Sequence, residues 1–513
     1  MQSTSTQWRQ QWRETLVPET FVEVTLLVSD PDIDNATATD NGHVHFSNTA
    51  QIANRQAKDP PVYATVERNL WVLDGSRRPL PPAAPFGDNG YIGLALCDNN
   101  ANFTSIPTVT LTFPTIVTTL LPGITITWST AYDEYAVSYR VRAYNGGALV
   151  ATFTETDNDL VESPAPVDLR NFDRITIEVM KWSVPGRRPR IADIFVGLKK
   201  VYTKRDLMNY SHVQSVDPLS AELPNAEIQF EILNLNGEYN PDNPEGAEKY
   251  LMQRQMVKSR YGLKLGDNIE WIDGGTFYIS GWDTPQNGIT ASFTARDLLE
   301  YMTDLYTGPS TGTLYDIALA ALQQADLPIT DDGGNRWALD DGLVGITAPA
   351  NVSLAEHTMA EVLQLCANAA CMVMYQDRQG ILHIEPMADG VTDYLIDQYN
   401  SYEYGEIELT KQLKAVDVNG GEAVAQGEGV GETQKIENPL ISADRAQIVA
   451  DWARDYLINR KILSGTYRSD PRLDALDRIT TQNKYAKSEL LITQIEYTYG
   501  GAFRGSYEGR GDV

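Results

Sequence analysis

The chain has 513 residues, about three times the usual domain length of roughly 150, so three or four domains are expected rather than one small enzyme fold. Its 42% hydrophobic and 21% charged residues match ordinary globular proteins and exclude collagen-like, low-complexity and wholly disordered chains. With 41 Lys plus Arg against 69 Asp plus Glu, a net charge of −28 and no long basic run, stable nucleic-acid binding is not expected.

The first residues, MQSTSTQWRQQWRETL, have no apolar h-region, and nowhere do about 18 apolar residues run together. Neither a signal peptide nor a membrane span is expected, and the chain reads as soluble. Residues 1–20 predict a short helix capped by Ser3 or Thr6 and ending before Pro18, with Trp8 and Trp12 on one face. That face needs a partner, inside this chain or in another, and Trp8 and Trp12 are the expected intersubunit contact. Residues 21–28, FVEVTLLV, read as a strand. In the loop that follows, Asp30, Asp32 and Asp34 place hard oxygen ligands within reach of one cation such as calcium. Asn35 and Asn41 stand where an EF-hand needs its turn glycine and bidentate glutamate, so a solvated acidic loop competes with the metal site. His43 and His45 lack a third ligand and read as exposed histidines.

From 63 to 199 short alternating runs follow one another: VTLTF, ITITW, SYRVRAY, ALVATF, RITIEVM and IADIFVGL, with Asn145-Gly146 as a tight hairpin turn. Such spacing predicts a β-sandwich or jelly roll. Trp128 and Trp182 end alternating strands and belong in its core. Trp71, Tyr132 and Tyr135 are the candidates for carbohydrate binding, since the apolar face of a sugar packs on an aromatic plane.

Beyond Tyr202 the pattern mixes. Residues 227–232 and 276–280 are strand-like, 246–261 predict a helix, and 289–302 a strand running into a short helix. Helices are expected at 313–325 and 354–370, a hairpin over 371–386 turned at 378–380, a glycine-rich loop or hairpin tip at 419–431, a helix at 443–461 and strands from 466. Cys97, Cys366 and Cys371 make neither a disulfide framework nor a zinc site. GEGVGE at 427–432 lacks the cation that a phosphate cradle needs. Asp470, Asp474 and Asp477 offer paired carboxylates of the glycosidase kind, but Arg468 and Arg472 beside them make an ion-paired turn the simpler reading. No cofactor is expected.

Residues 216–300 are more specific. SVDPLSAELPNAEIQFEILNLNGEYNPDNPEG, YGLKLGDNIEWIDGGTFYISGW and GITASFTARDLLE resemble the baseplate hub, or tail-associated, proteins of phage tails. The resemblance extends to SLAEHTMAEVLQLCANAACMVMYQDRQGILHIEP at 353–386, with Gln379 where Asp is common and Asp377 two places earlier. It ends in YRSDPRLDALDRITTQNKY at 467–485, with Leu476 where glycine is usual. Residues 63–199 are similar to a galactose-binding, discoidin-type jelly roll.

Together these resemblances imply a mainly β chain with α+β parts, built from β-barrel-type hub domains and an inserted β-sandwich. The expected domains are a helix at 1–20, a discontinuous first hub domain at 21–59 and 200–305, the inserted jelly roll at 60–199, an α+β domain at 306–400 and a C-terminal domain at 401–513. The implied function is a structural virion protein rather than an enzyme: a homotrimeric hub at the tail tip, assembled in the bacterial cytoplasm. Its implied partners are distal tail protein, tail tube, tape-measure protein, tail fibres or receptor-binding proteins and, through the jelly roll, host glycans. Two readings compete with it, a carbohydrate-binding receptor-recognition protein and a tail-borne cell-wall hydrolase.

Overall fold

The computed structural model describes residues 1–14, 19–30, 33, 36–53, 60–79, 89–219, 222–285, 288–330, 334–403 and 405–511. The chain is mainly β, and a 13-stranded sheet forms its spine. The sheet runs in the order Leu198–Tyr202, Thr20–Val28, Met256–Leu265, Asn268–Asp283, Thr290–Arg296, Asn225–Leu233, Leu207–Ser215, Lys487–Tyr499, Phe503–Gly511, Lys461–Tyr467 and Glu406–Leu409. Arg478–Gln482 and Val391–Ile396 branch from Lys487–Tyr499.

Alternation explains these strands. In Thr20–Val28 the side chains of Val22, Val24, Leu26 and Val28 are buried and those between them half-buried, because successive residues of a strand face opposite ways. The same rule overturns the helix expected over 246–261: Val257, Tyr261 and Leu263 fall on one buried face of the strand Met256–Leu265, preceded only by a short helical turn, Glu248–Tyr250.

The first half of the sheet rolls up until Tyr202 in one end strand lies 6.3 Å, ring to ring, from Phe230. The hydrogen-bonded path stays open. Closure would need the free edge of Leu207–Ser215, and residues Tyr210 to Ser215 already pair through it with Tyr499 to Gln494. That pairing fuses the N-terminal and C-terminal β units into one sheet.

The sandwich interrupts the spine between Val28 and Leu198, which face each other across two neighbouring antiparallel strands. Thr37–Asp40 pairs with Thr108–Val117, and Ala53 bridges to Ile194, so the sandwich begins well before residue 60, the boundary expected from sequence. One layer has the strand order Thr37–Asp40, Thr108–Val117, Phe172–Trp182, Ala136–Asn145, Ala148–Glu155; the other has Asp193–Phe195, Leu121–Thr127, Glu162–Leu169. Between the layers Trp128 and Trp182 meet edge to face at 6.0 Å, both fully buried as expected, and their indole N–H groups donate to Ser163 and Glu134. Asn145 pairs with Ala148, so the tight turn is Gly146-Gly147, one residue later than expected. Both turn positions have positive φ, and glycine takes that conformation without a Cβ clash.

The remaining unit packs three helices, α1 (Leu314–Ala325), α2 (Met359–Ala369) and α3 (Ala443–Leu457), around two small sheets. One sheet contains Trp337–Leu339, Leu382–Glu385 and Val373–Gln376; the other contains Ala423–Gln426, Leu413–Val418 and Glu432–Ile436. Ile317, Leu363, Val416 and Val449 share its core, so residues 413–457 belong here rather than with the C-terminal domain. Conversely, Val391–Ile396 joins the C-terminal sheet. Helix α2 starts at Met359, later than expected, because Thr358 Oγ1 accepts from Glu361 N at 3.2 Å while Thr358 N donates to the Glu361 carboxylate at 2.7 Å. Among the described residues no helix is long and apolar enough to cross a membrane.

Candidate functional site

All three central units meet at one polar junction. The turn between Val373–Gln376 and Leu382–Glu385 closes on Asp377, whose Oδ1 accepts from Ile381 N at 2.9 Å. This projects Arg378 into the seam of the large sheet, where its side chain is 1% exposed. Its Nε donates to Asp474 Oδ1 at 2.6 Å, and its two terminal nitrogens donate to the Asp273 carbonyl at 2.9 Å and the Leu473 carbonyl at 2.8 Å. Burial works against the Asp474 charge, but the neighbouring guanidinium, the N-terminal ammonium and the Gln2 hydrogen bond together outweigh it and hold the carboxyl below its ordinary value. Asp474 Oδ2 also accepts from Gln2 Nε2 at 2.8 Å. Beside this pair, His212 is fully buried between the rings of Tyr261, Phe277 and Tyr497. A cavity of about 250 Å³ opens next to the junction, lined by Gln214, Asp297, Tyr375, Arg378, Asp474 and Leu476 among others.

The expected ion-paired turn is present. Asp470, fully buried, accepts from Arg472 Nε at 2.8 Å and from Trp8 Nε1 at 3.3 Å. Trp8 and Trp12 are therefore covered by their own chain, which corrects the intersubunit contact expected of them. Their helix is capped by Ser5, rather than by Ser3 or Thr6, and the indoles fill the floor of the rolled sheet.

The aromatic candidates of the sandwich separate. The Tyr132 hydroxyl accepts from Tyr63 N at 3.1 Å while Arg190 lies 4.7 Å over its ring, and Tyr135 packs against the sandwich core, both half-buried. Trp71 is 61% exposed. Asp32 and Asp34 lie outside the described residues, and Asp30 follows the strand Thr20–Val28. Among the described residues no three His, Cys, Asp or Glu side chains gather in a metal-binding group.

Arg378 and His212 carry no local sequence signal; their partners lie 96 and 49 residues away. Leu476 is different. It holds φ +70 in the segment where the resembling family has glycine, and a left-handed non-glycine backbone is strained. Leu476→Gly is expected to raise the unfolding free energy by about 0.5 kcal/mol, the relieved strain exceeding the added freedom of the unfolded chain. Urea titration checks this; a loss of stability would show that the half-buried leucine side chain outweighs the strain.

No family model and no curated protein matches the sequence. Among solved structures, the fold is similar to the 43 kDa tail protein of prophage MuSo2 from Shewanella oneidensis, at 14% identity and TM-score 0.43, covering 60% of this chain and 93% of that one. It is also similar to a tail protein from Neisseria meningitidis, at 11% identity and TM-score 0.44, covering 62% and 94%. A component of the type VI secretion system of Escherichia coli is a third neighbour, at 12% identity and TM-score 0.35, covering 60% and 74%.

Proposed function

We propose that the chain is a structural hub of a phage or prophage tail tip, a trimeric ring that closes the tail tube, lets DNA pass and carries the sandwich outward toward the host. One observation carries this reading. The three stretches of 216–300 that resemble baseplate hub proteins become adjacent strands of a single sheet, Met256–Leu265, Asn268–Asp283, Thr290–Arg296 and Asn225–Leu233. The same sheet then continues into the C-terminal unit, where the family resemblance ends. A body of this kind transmits force between neighbours without opening strand edges in its middle. The acidic balance of the chain suits a surface past which DNA must slide without sticking.

Light scattering on the purified protein tests the ring: the expected mass is three times the 56.9 kDa of one chain, and a monomer that also fails to enter assembled tails would overturn it. A deletion tests the division of labour. Because Val28 and Leu198 are paired, residues 29–197 can be replaced by a two-residue Asn-Gly turn that completes a plain hairpin. The shortened chain is expected to fold and to assemble into tails that adsorb poorly to host cells. Full adsorption by such tails would remove the sandwich from host attachment.

A further inference from the structure

One end of the sandwich differs from the rest of this acidic chain. The loop containing Arg68 hydrogen-bonds to the turn at 183–190 through Arg68 N and the Gly186 carbonyl at 3.1 Å, and the segment containing Leu94 joins the same turn through Cys97 N and the Arg187 carbonyl at 3.0 Å. Three loops thus stand side by side. They hold Val66, Trp71, Leu73, Leu94 and Leu96 outward, at 76%, 61%, 70%, 60% and 44% exposure. Residues 60–79 and 183–190 contain six arginines and two acidic residues, on a chain whose net charge is −28.

Beneath the tips the frame is stiff. Glu67, almost fully buried, accepts from Arg190 and from Arg188 N, and Glu134 accepts from Arg187 Nε at 2.7 Å. These pairs use Arg187 and Arg190 internally, leaving Arg68 and Arg78 exposed around the apolar tips and Arg188 half-buried there, with one of its terminal nitrogens donating to the Leu94 carbonyl. Besides the buried Glu67, the acidic residues within those loops are Asp74 and Asp98, and each turns its carboxylate to local backbone N–H groups.

We propose that this loop end docks on an anionic lipid surface, with Trp71, Leu73 and Val66 entering the interface and Arg68, Arg78 and Arg188 meeting the headgroups. Four of the five exposed apolar side chains are aliphatic and offer no flat ring to a sugar, whereas an apolar layer beneath a negative plane matches both halves of the patch. The inference goes beyond the hub reading and does not depend on it.

The test is sedimentation of the full chain with phosphatidylcholine vesicles that contain about one third phosphatidylglycerol, beside vesicles of phosphatidylcholine alone. Binding is expected only to the mixed vesicles and is expected to fall as salt is raised above about 0.1 M. Trp71→Ala with Leu73→Ala should weaken it roughly tenfold, and Arg68→Glu with Arg78→Glu should abolish it, with circular dichroism unchanged. Brominated lipid should quench tryptophan emission in the parent chain and not in Trp71→Phe, a comparison that holds even if a double variant misfolds. Failure to bind mixed vesicles would overturn the proposal. So would binding unchanged by Trp71→Ala with Leu73→Ala, the behaviour of a simple polyanion site such as one for an acidic polysaccharide.

Discussion

Replacing Arg378 with alanine is expected to remove about 3 kcal/mol of stability and to split a single unfolding transition into two. The argument begins with geometry. Three donors of one guanidinium reach Asp474, the Asp273 carbonyl and the Leu473 carbonyl, and so tie the turn of the α/β unit to both halves of the large sheet. Without the guanidinium, Asp474 keeps Gln2 as a neutral donor and the Asp273 carbonyl loses a charged one. A partly buried carboxylate without its cation costs several kcal/mol, and the low end of that range applies because the Asp474 side chain is 20% exposed. The pair itself is worth less than its breakage: Arg378→Met combined with Asp474→Leu should recover most of the loss, since apolar side chains of similar volume need no counter-charge. Urea denaturation followed by near-ultraviolet circular dichroism reads both effects. A loss below about 1 kcal/mol for Arg378→Ala would mean that water replaces the guanidinium and that the junction is not what holds the units together.

Much of the fold is legible where the rule is local. The alternating runs ITITW and RITIEVM became central strands of the sandwich, and Thr358 with Glu361 fixes the start of a helix by reciprocal hydrogen bonds that the sequence already contains. Glu162–Leu169 was not legible, because Pro164 and Pro166 argue against a strand. It survives as an edge strand, where the missing N–H groups face no neighbour. Residues 246–261 misled because a strand buried on one face and a short amphipathic helix share the same few apolar residues. The joining of the two halves of the sheet was invisible for another reason: the pairing of Tyr210 with Tyr499 joins residues more than half the chain apart, and no local pattern encodes it. The ion-paired turn of Asp470 and Arg472 was readable from two residues of spacing. The partners of Asp474 and of Trp8 were not.

Acid should weaken the seam of the sheet before the rest of the molecule, and His212 is the reason. Its Nδ1 lies 2.6 Å from the Tyr261 hydroxyl, its Nε2 has no hydrogen-bond partner among the described residues, and its ring is fully buried against Phe277 and Tyr497. Burial, with the nearby Arg378 charge adding to it and Asp474 opposing it, pushes the imidazole down to about 3 from its ordinary 6.5. Between those two values the unfolded chain binds a proton that the folded chain refuses. Stability from this group is therefore complete above pH 6.5 and falls as the pH drops through the window, by about 2 kcal/mol at pH 5. His383 works the other way: its hydrogen bond to Asp377 raises it, so its contribution is full below its unfolded value and fades as the pH rises past its folded one. The variant comparison isolates the first effect. His212→Phe keeps the ring, removes the orphaned nitrogen and leaves the Tyr261 hydroxyl its bond to Tyr210 at 2.9 Å. Between pH 7.5 and pH 5 the parent should lose about 2 kcal/mol relative to this variant by urea denaturation, because the opposite contributions of Asp297 and His383, both raised above their ordinary values, are common to the two proteins. Hydrogen exchange should show the amides of Tyr210 to Ser215 opening first in the parent at pH 5, because that strand carries His212 and joins the two halves of the sheet. Equal slopes for the two proteins would place the acid sensitivity elsewhere and leave the seam as stable as its flanks.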